Sequence, residues 1–215
     1  MASHEFRTPL STILSSANLS VKYTLSEQQD KREKHYQKIK SAVALLTTIL
    51  DDFLSVSRLE EGLVEVSYEN IDINLFFNEL AEELNHSLKK GQKIVLKIEP
   101  LDNLVKMDKK LLRMIITNLI SNASKYSDEA TPIVCEVKKE AKKYRIDIID
   151  HGYGIPTEEK KHLFERFFRA SNVAHIKGTG LGLHIVKHYV ELLNGTIEFK
   201  SELEKGSVFT IFFNL

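Results

Sequence analysis

No glycine occurs in this chain before Gly62, and Pro9 is the only proline in that stretch. Sixty residues without a backbone breaker beyond their first turns favour long helices. Apolar residues recur there at helical spacing: Phe6, Leu10, Ile13, Leu14 and Ala17, then Ile39, Val43, Leu46, Ile49, Leu50, Phe53 and Leu54. The pattern predicts two long helices separated near residues 25–30. Ser26 followed by Gln29 has the capping-box spacing that would start the second. Pro9 lacks an amide hydrogen, so the first helix is expected to bend there. Two helices cannot bury their apolar stripes alone. A symmetric dimer forming a four-helix bundle is the simplest remedy, and packing on the rest of the same chain is the alternative.

At Gly62 the pattern changes. Strand-like runs at 63–73, 94–99, 104–107, 133–140 and 144–150 alternate with helical runs at 75–88, 109–125, 158–168 and 181–193. Two more strand candidates, 196–201 and 207–213, close the chain. Asp108 and Thr157 are candidate N-caps, and Gly195 a helix stop. The fold class is therefore α+β: a helical hairpin over residues 1–62, then an α/β sandwich over 63–215 with helices on one face of a mixed sheet.

Composition removes several functions. Lys and Arg balance Asp and Glu at a formal net charge of zero. That argues against nucleic acid or a membrane surface as partner, since either would favour a basic excess. Cys135 is the single cysteine, which excludes an intrachain disulfide and a cysteine-based zinc site. No apolar run approaches the roughly 20 residues of a membrane span. The chain enters its histidine motif at once, without a signal peptide. It reads as a cytoplasmic piece of a longer protein, which other segments are free to anchor in a membrane.

Five short motifs carry chemistry. In Ser3-His4-Glu5-Phe6-Arg7-Thr8-Pro9 a carboxylate adjoins a histidine, and Thr8 lies one turn above it. A zinc-protease helix is excluded because Thr8 stands where H-E-x-x-H needs a second histidine. A nucleophilic imidazole with Glu5 as its base suits the cluster; a plain surface histidine is the alternative. Asn118 and Asn122 lie four apart on a helix, a spacing that aims both amide oxygens the same way. Such neutral oxygens suit Mg²⁺. Lys125 adds a charge for phosphate and Tyr126 a face for a base. Polar residues on a wet helix face are the competing reading.

Asp150-His151-Gly152-Tyr153-Gly154 follows an apolar strand. Its carboxylate can accept from an exocyclic amine, and its glycines admit a flat ligand, although ordinary turns share this composition. Gly178-Thr179-Gly180-Leu181-Gly182 opens a helix whose amides favour phosphate. Its spacing fits neither the dinucleotide fingerprint nor a P-loop, and a tight structural turn is the alternative. Between them, Phe164-Glu165-Arg166-Phe167-Phe168-Arg169 offers two arginines to phosphates. Its phenylalanines anchor a lid over 170–177; an amphipathic helix end is the alternative.

In this order and spacing, the five motifs resemble the H, N, first glycine, F and second glycine boxes of bacterial sensor histidine kinases of the HisKA type. The likeness covers essentially the whole chain. It implies a dimerisation and phosphotransfer hairpin followed by a Bergerat-type ATP-binding domain. By that resemblance His4 is the phosphoacceptor, Glu5 its general base, and Thr8 the residue that aligns water for dephosphorylating a response regulator. Asn118 and Asn122 would hold Mg²⁺, Lys125 and Arg169 the phosphates of ATP, and Tyr126 and Asp150 its adenine. Gly152, Gly154, Gly178, Thr179, Gly180, Leu181 and Gly182 would line the nucleotide site. The partners implied are a second copy of the chain and a receiver domain bearing the accepting aspartate. An ATP-driven conformational ATPase and a non-catalytic receiver-docking dimer are the rival functions. Family members carry more helix before the H box, so a frayed start and weak autokinase are expected here.

Overall fold

The structure, a computed structural model, describes residues 2–99, 104–140, 142–176 and 178–214, with side chains except at Ala2, Ser3, His4 and Ser26. The chain divides into two compact units, Met1–Glu61 and Gly62–Leu215.

The first unit is a hairpin of α1 (Ala2–Ser20) and α2 (Gln29–Glu60). Helix α1 continues through Pro9, whose missing amide hydrogen leaves the Glu5 carbonyl without its usual helix partner. Among the described residues, the buried positions are Pro9 and Ser16 on α1 and Ala42, Ile49 and Val56 on α2. Each set repeats every seven residues, the seam along which two helices interlock. A second apolar stripe, containing Leu10, Leu14, Val43, Leu50, Phe53 and Leu54, stays exposed. The N-cap of α2 is Gln28 rather than Ser26, whose side chain lies outside the described residues. A 3₁₀ turn over Ser26–Gln28 precedes the helix, and Gln28 makes no side-chain cap bond. Gln28 Oε1 instead accepts from the Leu25 amide at 3.4 Å.

The second unit contains β1 (Glu69–Asp72), α3 (Ile73–Asn85), β2 (Ile94–Ile98), β3 (Leu104–Met107), α4 (Lys109–Tyr126), β4 (Ile133–Glu140) and β5 (Lys143–Asp150). It continues with α5 (Gly182–Leu192), β6 (Thr196–Glu202) and β7 (Gly206–Asn214). The main sheet runs β2-β4-β5-β7-β6, parallel only between β2 and β4; β1 and β3 form a separate antiparallel ribbon. Strand residues alternate between two faces. Ile133, Cys135, Val137, Ile146, Ile148, Ile211 and Phe213 are buried, as are Leu112, Ile115, Ile116 and Leu119 of α4 and Ile185 and Val186 of α5. Their neighbours on the other face form a charged ladder. Glu136 lies between Lys97 and Lys138, whose hydrogen bonds hold its carboxyl below the usual range. Asp147 is flanked by Arg145 at 2.8 Å and the Thr210 hydroxyl at 2.6 Å. Burial, with these two acids nearby, pushes the Cys135 thiol up to about 12, so it stays protonated and inert.

Asp72 and Asp108 cap α3 and α4, accepting from Leu75 and Leu111 at 3.0 and 2.9 Å. Three local expectations change. The strand expected over 63–73 shrinks to β1. The helix expected over 158–168 is a 3₁₀ segment, Thr157–His162, with Pro156 rather than Thr157 at its N-cap; Phe167, at φ +61°, is incompatible with continuing it. At the end of α5 the left-handed residue is Asn194 at φ +55°, not Gly195, whose amide closes the turn onto Val190 O at 2.8 Å. Among the described residues, no helix is long and apolar enough to cross a membrane.

Candidate functional site

Helix α4 carries Asn118, Asn122, Lys125 and Tyr126, all half-buried. Asn118 donates Nδ2 to Met114 O at 3.1 Å, one turn back, which leaves its carbonyl oxygen facing outward. That oxygen would lie 2.9 Å from a Cβ placed on Gly182, and the Asn122 amide 4.0 Å from it. The helix spacing and the glycine thus bring both amides to the start of α5. Among the described residues, the Asn122 side-chain amide has no hydrogen-bond partner. Lys125 Nζ rests 4.8 Å from the centre of the Tyr126 ring. Both side chains reach toward Gly178, where any Cβ would overlap the Lys125 ammonium. Glycines of one motif therefore lie where side chains would obstruct contact with another.

Asp150 ends β5 buried, 7% exposed. Its Oδ1 accepts from the Gly152 and Ser207 amides at 2.9 and 3.2 Å, leaving Oδ2 for a ligand. Burial raises its pKa above the ordinary carboxylate value, against the lowering effect of those two amides. A Cβ on Gly152 would overlap the Tyr126 carbonyl, which also accepts from the Tyr153 amide at 3.1 Å. Gly154, at φ +62°, packs against the Glu202 carbonyl. The Asp150 motif is thereby pinned between the end of α4 and the β6–β7 turn.

In the last glycine motif, Thr179 Oγ1 accepts from the Leu181 amide at 3.2 Å and turns the chain into α5. Leu181 itself is buried, 2% exposed, so its side chain belongs to the core and only its backbone belongs to the loop. Gly180, at φ +70°, accepts from the Phe167 amide at 3.0 Å. A Cβ on Gly180 would strike the Phe167 backbone, so these two left-handed residues interlock two motifs.

The arginines are not brought to the amides of α4. Arg166 Nε donates to His184 Nε2 at 3.1 Å. Arg169 donates to the carbonyls of Ala174 at 2.8 Å and of Ile176, clasping the segment that follows it. In this conformation the fork that sequence assigned to phosphate holds the lid's own backbone. Lys177 lies outside the described residues. The Ser171 hydroxyl and then its amide, the latter donating at 3.0 Å, lower the pKa of Glu159 and fix the other root of this segment.

Two groups of residues escape sequence reading. Lys89 Nζ donates to Lys125 O and Ser127 O at 2.9 and 2.7 Å, and Gln92 Nε2 donates to Ser124 O and Asp128 O at 3.2 and 2.9 Å. They close the open carbonyls at the end of α4, where a cation also complements the helix dipole. No local spacing links them to a motif so far along the chain. Ser207 is likewise silent in sequence, except that it follows a glycine at the start of the last strand. In the hairpin, Glu5 is half-buried and Thr8 exposed. The side chain of His4 lies outside the described residues.

Residues 107–215 match the family described as histidine kinase-, DNA gyrase B- and HSP90-like ATPase, and residues 1–62 match the His Kinase A (phospho-acceptor) domain. Hybrid signal transduction histidine kinase L of Dictyostelium discoideum is 33% identical over 221 residues, covering 98% of this chain and 13% of that protein. The Acinetobacter baumannii histidine kinase AdeS shares the fold with a TM-score of 0.77 at 23% identity, over 98% of this chain and 97% of that one. Full-length ShkA in complex with AMPPNP gives 0.71 at 28% identity, over 99% of this chain and 45% of that one. The chain spans less than half the length of the curated relatives it matches.

Proposed function

This chain belongs to the histidine kinase family, and from that premise we propose that it is the transmitter core of a two-component sensor kinase. It transfers the γ-phosphoryl group of ATP to His4 and passes it on to an aspartate of a response regulator receiver domain. Residues 1–62 form the dimerisation and phosphotransfer domain, and 63–215 the catalytic ATP-binding domain. One observation carries the reading: the Asn118–Tyr126 segment, Asp150 and the Gly178–Gly182 loop converge through glycines that leave backbone and amide oxygens accessible. The ShkA relative, solved with AMPPNP, supports a nucleotide there.

Each residue has a defined task. Asp150 Oδ2 accepts from the adenine amine while Oδ1 is held by two backbone amides. Tyr126 offers its ring to the base. Lys125 and the amides at the start of α5 attract phosphate oxygens. The donors present fit magnesium, because the oxygens of Asn118 and Asn122 are neutral and leave room for water and phosphate ligands. When bound, magnesium offsets charge on the phosphates. In the transfer step a nitrogen of His4 attacks the γ-phosphorus and forms an N–P bond. The bond from that phosphorus to the bridging oxygen breaks, ADP leaves with the electron pair, and Glu5 takes the imidazole proton. Release of Arg169 from the Ala174 and Ile176 carbonyls would free its fork for the nucleotide. Thr8, one turn from His4, aligns water for the reverse task on the phosphorylated regulator. The exposed stripe of Leu10, Leu14, Val43 and Leu50 is the homodimer face. The setting proposed is the cytoplasm.

Incubation with γ-labelled ATP tests the whole sequence of events. An acid-labile, base-stable label is expected on the wild type and absent from His4→Gln. Label persisting in that variant overturns the assignment. Free phosphate from His4→Gln without any phosphohistidine in the wild type would indicate an ATPase instead, and no nucleotide binding at all a docking dimer.

A further inference from the structure

Asp108 is a buried carboxylate, 5% exposed, at the junction of β3 and α4. One oxygen performs the ordinary capping task, Oδ1 accepting from Leu111 at 2.9 Å. A cap requires only that one acceptor, and a serine or asparagine would provide it. Asp108 Oδ2 does something else: it accepts from the amide of Ser67 at 2.8 Å, 41 residues upstream. Ser67 lies on the segment that leaves α2, which ends at Glu60. One residue past Tyr68, β1 begins its pairing with β3, Glu69 opposite Met107. The bond to Asp108 thus continues that ladder by one step and fixes the connecting segment to the base of α4.

Upstream of this bond the connection has no comparable anchor. Among the described residues, 62–66 make no side-chain hydrogen bond, Leu63 and Glu65 are exposed with Val64 and Val66 half-buried, and Gly62, at φ +66°, has nothing within 4 Å of the position a side-chain methyl group would take. Downstream, the chain is tied into the fold by strand pairing and hydrogen bonds. Helix α4 carries Asn118, Asn122, Lys125 and Tyr126, and its far end is locked by Lys89 and Gln92. We propose that Asp108 is a positioning residue for phosphoryl transfer: it straps Ser67 to the helix that holds the nucleotide, so the joint between the two units is confined to residues 61–66. Without the strap the free joint reaches Tyr68. Two more extended residues add about 7 Å of reach, and the reacting groups meet less often in the correct orientation. The strap governs the transfer rate and leaves nucleotide affinity alone. This inference rests on the kinase reading above.

Asp108→Asn keeps an oxygen for Leu111 but turns an amide toward Ser67, which then has no acceptor. Ser67→Pro removes the donor from the other side, and Ser67→Ala, which retains the amide, is the control. In the full chain, both strap variants are expected to slow single-turnover phosphohistidine formation about fivefold, with ADP affinity within about twofold of wild type. The double variant should be no slower than either single one, Ser67→Ala should match wild type, and hydrogen exchange at the Ser67 amide should accelerate in Asp108→Asn. An unchanged rate overturns the proposal. So does a loss of ADP affinity in step with the rate, which would make Asp108 a helix cap and nothing more. Should the wild type form no phosphohistidine, the kinase reading falls. Exchange at Ser67 then decides the strap separately: faster exchange with ADP affinity intact upholds it, and unchanged exchange overturns it.

Discussion

In the α/β unit Leu112 and Ile115 are wholly buried, whereas in the helical hairpin Leu14 is 64% and Phe53 49% exposed. Both units carry apolar side chains at helical spacing, so the difference is not one of composition. The sheet gives α3, α4 and α5 a surface that covers most of their apolar side chains, Leu75 of α3 being an exception. Two helices offer each other one seam and leave a second uncovered. The α/β unit is a finished core that presents polar and glycine-rich loops to a ligand. In the proposed homodimer the hairpin is half of an assembly, and its remaining apolar surface supplies the driving force for recruiting a second copy.

Substitutions can break this contrast. Leu112→Ala, which empties a sealed site, should destabilise the α/β unit by about 2–5 kcal/mol in denaturant titration. Leu14→Ala should change the stability of an isolated chain by less than about 0.5 kcal/mol. A comparable cost at Leu14 would mean its surface is already covered. Leu50→Glu, next in size, should convert dimer to monomer in sedimentation velocity while the nucleotide site still binds ADP. Persistence of the dimer would place the interface elsewhere.

Asp150→Asn sharpens the comparison within the finished unit. It should weaken ATP binding by about 10- to 100-fold in calorimetric titration, the loss expected when a charged acceptor disappears from a buried bond. Stability should move the other way. Burial raises the folded-state pKa of Asp150 above its unfolded value, so the folded chain binds more protons than the unfolded chain between the two. The favourable contribution is present at low pH and fades as pH rises through the folded value. At neutral pH the buried charge therefore costs stability, and Asp150→Asn should melt at or above the wild-type temperature without nucleotide. A lower melting temperature would show that the carboxylate is structural. The smallest effect belongs to Lys89→Met, which frees the carbonyls of Lys125 and Ser127. It should weaken ADP binding about threefold, and a larger loss would place Lys89 in direct contact with the nucleotide.

How much was legible varies by residue. The break at Gly62 announced two regimes because backbone breakers act locally, and Asp108 was readable as a cap from its place before an apolar run. The spacing of Asn118 and Asn122 gave their common face, since a helix turns by a fixed angle per residue. The clasp made by Arg169 was not legible, because a guanidinium serves any nearby acceptor and the Ala174 and Ile176 carbonyls became its neighbours only through the path of the segment that follows it. The helix expected over 158–168 failed for a related reason. Its apolar pattern was correct, but Phe167 takes a left-handed backbone to meet Gly180. Lys89 and Gln92 had no local signal at all.

Sequence alone determined the helical hairpin, the α/β class that follows it and the five motifs, each a property of a few neighbouring residues and of helix or strand period. Only the tertiary structure decided which glycines face which side chains, that Arg169 clasps the lid, and that Asp108 reaches Ser67. Those facts depend on the path of the folded chain, which brings residues from separate elements within hydrogen-bonding distance. Distance across a packed core is not encoded in any one stretch of sequence.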